Sequence, residues 1–183
     1  ITFTRKARDE MNHRLQQQDV HGVNINTFNA YAEQLIQNNT DGSIPPLASY
    51  PDKIQLLHKS LDELGPAGDL NNLLRDTVRL ITQNKLNNTS LDNLETATSQ
   101  QDFLKRLSLA YQGALDENKR RLHADQLTDA TTILSERPDE YEHVLIDEYQ
   151  DVNDAQIQII DRIDHDNLFC VGDPRQSIYG WRG

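Results

Sequence analysis

The sequence predicts an α/β protein: a parallel sheet with crossover helices, interrupted by an all-α segment. Three observations predict it. Residues 1–38 alternate between short strand-like runs and helical stripes, the middle third keeps helical periodicity with nothing at period two, and the strand and helix alternation returns from Leu122. The expected division is therefore an α/β lobe over 1–38 and 122–183, with a helical insertion over 39–121.

Ile1 to Phe3 reads as the end of a strand, and Thr4 is placed to cap a helix carrying Ala7, Met11 and Leu15 on one face. Val20 to Ile25 alternates well enough to be a second strand, followed by Asn26 or Thr27 as cap and a helix through Phe28, Tyr31, Ala32, Leu35 and Ile36. The breaker-rich run NNTDGSIPP, Asn38 to Pro46, ends that regime. Ile54, Leu57, Leu61 and Leu64 then mark a helix closed by Gly65 and Pro66. Leu70, Leu73, Leu74, Val78 and Ile81 mark a second, and Phe103, Leu104, Leu107, Tyr111 and Leu115 a third beyond the Asn-rich stretch at Asn84 to Asn93. A helix around Leu122 to Leu134, the strand Val144 to Ile146, a helix with Ile159, Ile160 and Ile163, and the strand Leu168 to Val171 complete the pattern. GDPRQ, Gly172 to Gln176, has the composition of a tight turn.

A chain of 183 residues can bury the core of one domain or two small lobes. Hydrophobic residues make up 36% of it and mean hydropathy is −0.73, with no apolar run near bilayer length, so no membrane role is expected. The single cysteine, Cys170, cannot form an internal disulfide; its apolar neighbours predict a buried strand position in a reducing compartment, with the cytoplasm as default. A net charge of −11 argues against broad attraction to nucleic-acid phosphates, so any such contact must be local. Arg5, Lys6, Arg8 and Arg14 form one basic cluster; Lys119 to Arg121 form another that reads as a solvated face. The start, ITFTRK, lacks an initiator Met and any signal-peptide pattern, and both ends fall in dense motif-like sequence, so a piece of a longer protein is expected.

The most informative stretch is VLIDEYQD, Val144 to Asp151, a short apolar strand delivering two carboxylates to its carboxyl end, where open α/β sheets bind ligands. Asp147 suits Mg²⁺ on a nucleotide, and Glu148 suits activation of a water. Taken alone, the pair reads more simply as an acidic strand-to-turn junction. Its surroundings change the balance.

Four stretches, TFTRKARDEM (Thr2 to Met11), NTFNAYAEQLI (Asn26 to Ile36), VLIDEYQDVNDAQ (Val144 to Gln156) and VGDPRQSIYGWRG (Val171 to Gly183), resemble motifs Ia, Ib, II and III of the UvrD/Rep-type superfamily 1 DNA helicases, in the family's order. The resemblance implies part of a RecA-like P-loop NTPase lobe (1A) with an inserted all-α subdomain (1B). It implies a motor using ATP and Mg²⁺ for 3′-to-5′ translocation on single-stranded DNA and for duplex unwinding. By the same likeness Asp147 holds Mg²⁺ through water, Glu148 is the base, Gln150 and Asp151 support the site, and Gln176 senses the γ-phosphate. Phe3, Thr4, Arg5, Thr27 and Asn29 are implied on one bank of the DNA path, with Tyr179, Trp181 and Arg182 on the other; stacking of bases on aromatic rings is indifferent to sequence.

The chain departs from the family at Asn29, where His is usual, at Arg5, where Asn is common, and at Pro174 and Arg175, where acidic residues are frequent. It holds no GxxxxGK[ST], so residues 1–183 alone are expected to hydrolyse ATP negligibly although the parent should do so. Implied partners are single-stranded DNA, single/double-strand junctions and the second motor lobe of the same chain, with no membrane. The alternatives are a RecB/AddA-type helicase-nuclease motor and a non-hydrolysing relic that binds DNA or a partner.

Overall fold

The computed structural model describes residues 1–62, 64, 65 and 68–176; Tyr179, Trp181, Arg182 and Pro66 lie outside them. It is a mixed helix and strand structure with a small parallel sheet, and it divides into two compact units, Ile1–Gly42 with Gln126–Gly183, and Ser43–Asp125.

In the first unit, β1 (Glu140–Ile146) pairs in parallel with β2 (Asp164–Cys170), with Glu140 opposite Asp164 and Ile146 opposite Cys170. The ladder continues on the other side of β1. Ile1 N donates to Leu145 O and Asp147 N donates to Ile1 O, while Thr2 N donates to Asn26 O at 2.9 Å and bridges Thr27 in parallel. Val144 and Ile146 point into the core, as period two requires, joined by Phe28, Ala32 and Leu35 of α2 (Phe28–Asn39) and Ile159 and Ile160 of α7 (Asp154–Ile160) among the buried residues. A reciprocal capping box of Asn153 and Gln156 starts α7. Thr4 caps α1 (Arg5–Gln17) by accepting from Ala7 N, and Thr27 caps α2 by accepting from Ala30 N.

Two expectations are corrected here. Val20 to Ile25 forms no strand, because Val20 is used to end α1. Asp19 takes the left-handed conformation at φ 55°, Val20 N donates to Leu15 O and Asp19 N to Gln16 O, which is the Schellman pattern of bonds. Val20 and Val23 are left exposed. Cys170 lies on a strand but is exposed, as are Leu168, Phe169 and Val171, because among the described residues only β1 pairs with β2.

The second unit is helical. α3 (Tyr50–Asp62) and α4 (Leu70–Leu86) both pack against α5 (Ser99–Glu117), around a core that includes Leu57, Ile81, Leu107, Tyr111 and Leu115, each at most 2% exposed. Burying each such Leu stabilises the unit by about 1.5–3 kcal/mol. Asp69 and Thr98 cap α4 and α5, and both helices end in the same pattern as α1, with Asn88 and Lys119 left-handed. The basic run 119–121 is only in part a solvated face: Lys119 is exposed, whereas the two arginines are engaged. Arg120 pairs with Asp52, and Arg121, 7% exposed, donates from Nε to Pro45 O while its backbone N–H reaches Pro46 O and its carbonyl accepts from Ala48 N. α6 (His123–Glu136) begins in this unit with the buried Ala124 and continues in the first, where Leu127, Ala130 and Leu134 are buried.

Candidate functional site

Parallel pairing with Ile146 opposite Cys170 brings the carboxyl ends of β1 and β2 to one edge. Val171 N donates to Ile146 O and Tyr149 N donates to Val171 O, both at 2.8 Å, so the ladder runs past the strands and docks the turn after β1 onto the segment after β2. The Thr2–Thr27 bridge carries the caps of α1 and α2 to the same edge. Sequence distance has been folded away.

Asp147 is half-buried and Glu148 exposed. Glu148 is left-handed, at φ 54° and ψ 43°. The other described non-glycine residues at positive φ are Asp19, Asn88 and Lys119, which close helices; Glu148 closes none. For a long side chain that conformation costs about 1–2 kcal/mol, so the surroundings must hold it. They do so through Gln150, whose Nε2 donates to Glu148 Oε2 at 2.6 Å and whose Oε1 accepts from Asp173 N at 3.0 Å. Asp173 in turn accepts from Gln176 Nε2 at 3.1 Å, from Gln176 N through its backbone carbonyl, and from Arg175 N at 2.9 Å. The last bond, with that from the Gln176 side chain, holds the Asp173 carboxyl below its ordinary range.

The structure thus joins Glu148, Gln150 and Gln176 in one network beside Asp147. Sequence reasoning missed two members, Asp173 and Gly172. A Cβ on Gly172 would lie 2.4 Å from Gln150 Oε1 and 3.0 Å from the backbone nitrogens of Gln150 and Tyr149. The Gly-Asp pair in the predicted turn was the available signal, but a turn composition does not say what packs against it.

For Mg²⁺ the donor set is tested by the oxygens present. Among the described residues no hydrogen bond or ion pair holds the Asp147 carboxylate, although its charge acts on the Ile1 ammonium, and Asp151 Oδ1 is buried without a partner. No group of three or more His, Cys, Asp or Glu among the described residues converges in metal-ligating fashion. That combination fits Mg²⁺, which commonly takes one or two carboxylates, keeps waters and completes its shell on substrate phosphates.

The expected DNA contacts are distributed unevenly. Phe3 is half-buried, Thr4 and Arg5 are exposed at the start of α1, and Thr27 is half-buried at the start of α2. Asn29 donates to Gln126 Oε1 at 2.9 Å, and Gln126, 4% exposed, donates to Glu33. On α1, Arg8 pairs with Asp9 and Arg14 with Glu10, whereas Arg5 and Lys6 have no acidic partner among the described residues. No helix among the described residues is long and apolar enough to cross a membrane.

The UvrD/REP helicase N-terminal domain family matches residues 1–183. Across its whole length the chain is 30% identical to an ATP-dependent DNA helicase PcrA of Leuconostoc citreum, 29% to a probable DNA helicase of Mycoplasma pneumoniae and 26% to DNA helicase II of Escherichia coli K12. It spans 27%, 39% and 28% of those proteins respectively.

Proposed function

Because the chain belongs to the UvrD/REP helicase N-terminal domain family, we propose that it is part of an ATP-dependent DNA helicase that moves 3′ to 5′ along single-stranded DNA and separates duplexes. The observation that carries the reading is the bonded edge itself, where Asp147 and Glu148 follow one parallel strand and Gln176 follows the next. In this reading residues 1–38 and 122–183 belong to a RecA-like motor lobe, 39–121 form an inserted helical subdomain, and the protein works in the cytoplasm with a second motor lobe of the same chain.

Each residue then has a task. Glu148 orients the attacking water and takes its proton as the bond from the γ-phosphorus to the bridging oxygen breaks, and Asp147 would hold Mg²⁺, through water. Mg²⁺, when bound, neutralises charge on the phosphate oxygens; positioning and charge stabilisation are most of what phosphoryl transfer requires. Gln176 offers a neutral donor that gains or loses one hydrogen bond as the γ-phosphate leaves. Phe3, Thr4, Arg5 and Thr27 contact the strand near the helix starts, where free N–H groups favour phosphate, and Tyr179, Trp181 and Arg182 complete the path. Asn29 acts through its bond to Gln126 unless DNA displaces that bond.

The test uses the full-length protein. Single-stranded DNA should raise ATP turnover several-fold, and a duplex with a 3′ tail should be unwound in preference to one with a 5′ tail. Turnover indifferent to DNA, or preference for the 5′ tail, contradicts the reading.

A further inference from the structure

We propose that Gln150 is a positioning residue: it fixes the Glu148 carboxylate and, through Asp173, ties it to Gln176. The inference rests on the reading of Glu148 as the base of ATP hydrolysis. Both ends of the Gln150 amide are committed, Nε2 to Glu148 and Oε1 to Asp173 N. The orientation of the amide follows from its partners, since a carboxylate oxygen only accepts and a backbone N–H only donates; the two requirements select the same placement of nitrogen and oxygen. Gly172 admits this side chain, because any Cβ there would stand 2.4 Å from Gln150 Oε1.

Two consequences follow for the reaction. Gln150 bonds Glu148 Oε2, and no hydrogen bond among the described residues holds Oε1, so the carboxylate keeps one oxygen for a water. Movement of Gln176, bonded to Asp173 at 3.1 Å, reaches Glu148 through a short chain of hydrogen bonds. The base is thereby set by the residue that reports the state of the γ-phosphate.

Gln150→Glu tests this in full-length protein with saturating single-stranded DNA. It keeps the length of the side chain and the acceptor for Asp173 N, yet turns the donor facing Glu148 into a like charge. The expected result is a fall in kcat of about 10- to 100-fold, the scale of misplacing a reacting group, with KM for ATP and DNA affinity within about two-fold of wild type. Gln150→Ala, which removes both bonds without adding charge, carries the test if Gln150→Glu does not fold; it should lower kcat several-fold at unchanged KM.

A kcat within two-fold of wild type, beside a Glu148→Gln control that is inactive, overturns the positioning role and leaves the proposed function standing. So does a loss of DNA affinity and a rise in KM that match the fall in kcat, since that marks a merely structural residue. A wild-type protein without ATP turnover, or a Glu148→Gln variant as active as wild type, overturns the functional reading and the positioning role together.

Discussion

Residues 43–125 and the remainder of the chain spend their sequence differently. The helical unit holds ten Lys and Arg against eleven Asp and Glu, a net −1, which leaves −10 of the total −11 to the other unit. Its apolar side chains close on one another around Leu107 and Tyr111, both 0% exposed. The strand-bearing unit instead shows Leu145, Leu168, Phe169 and Val171 at 57, 44, 61 and 50% exposure, and holds Glu148 in a left-handed turn. Among the described residues, one region closes on its own core and the other leaves strand faces uncovered beside the turn that holds Glu148. Substitutions should therefore cost stability in the first and chemistry in the second.

Leu107→Ala should have the largest effect on stability, about 2–5 kcal/mol, because the core of α3, α4 and α5 leaves it no exposed surface. Urea unfolding followed by circular dichroism measures it; a loss below about 1 kcal/mol would mean the helical unit is not closed on itself. Gly172→Ala should cost less, about 1–3 kcal/mol, since a methyl group there would displace the Gln150 amide and press on the backbone nitrogens of Tyr149 and Gln150. Its effect on ATP turnover in the full-length protein should exceed that of Leu107→Ala measured well below either melting temperature. The reverse order would break the division of labour.

Acid should act on both regions, mildly. Asp52 is held below its ordinary range by the hydroxyl and N–H of Ser49 and then by Arg120, Glu117 by the hydrogen bond and charge of Lys59, and Asp173 by Arg175 N and the Gln176 side chain. A carboxyl depressed in the folded state contributes its stability in full above the unfolded value of about 4 and loses it as pH falls through the folded value. Melting temperature should therefore be flat from about pH 7 to 5 and decline below about pH 4. Asp173→Asn should flatten part of that decline. Phe169→Ser in the 183-residue chain is the smallest effect on stability, within about ±0.5 kcal/mol by the same urea unfolding, because the ring it removes lies mostly in solvent.

The helices were legible because their signals are local. Thr4 and Thr27 cap helices where their side chains predict it, and the stripes through Leu57, Ile81 and Leu107 are the core. Val20 to Ile25 misled because alternation over a few residues competes with a helix end, and Asp19 with Val20 completed the helix end first. Cys170 misled because apolar neighbours specify a strand but not what covers it. At the proposed site, Asp147, Glu148, Gln150 and Gln176 could be picked out as residue types, whereas their bonding through Gln150 and Asp173 depends on strand register and on the space left by Gly172. Neither can be read from spacing along a chain.

The most direct test of the central claim compares wild type and Glu148→Gln in the full-length protein, measuring ATP binding and ATP turnover on the same preparation. The account predicts turnover lower by about 10²- to 10⁴-fold, the usual contribution of a positioned base, with ATP still bound at near wild-type affinity. Turnover at the wild-type rate would contradict it, as would loss of binding in step with turnover.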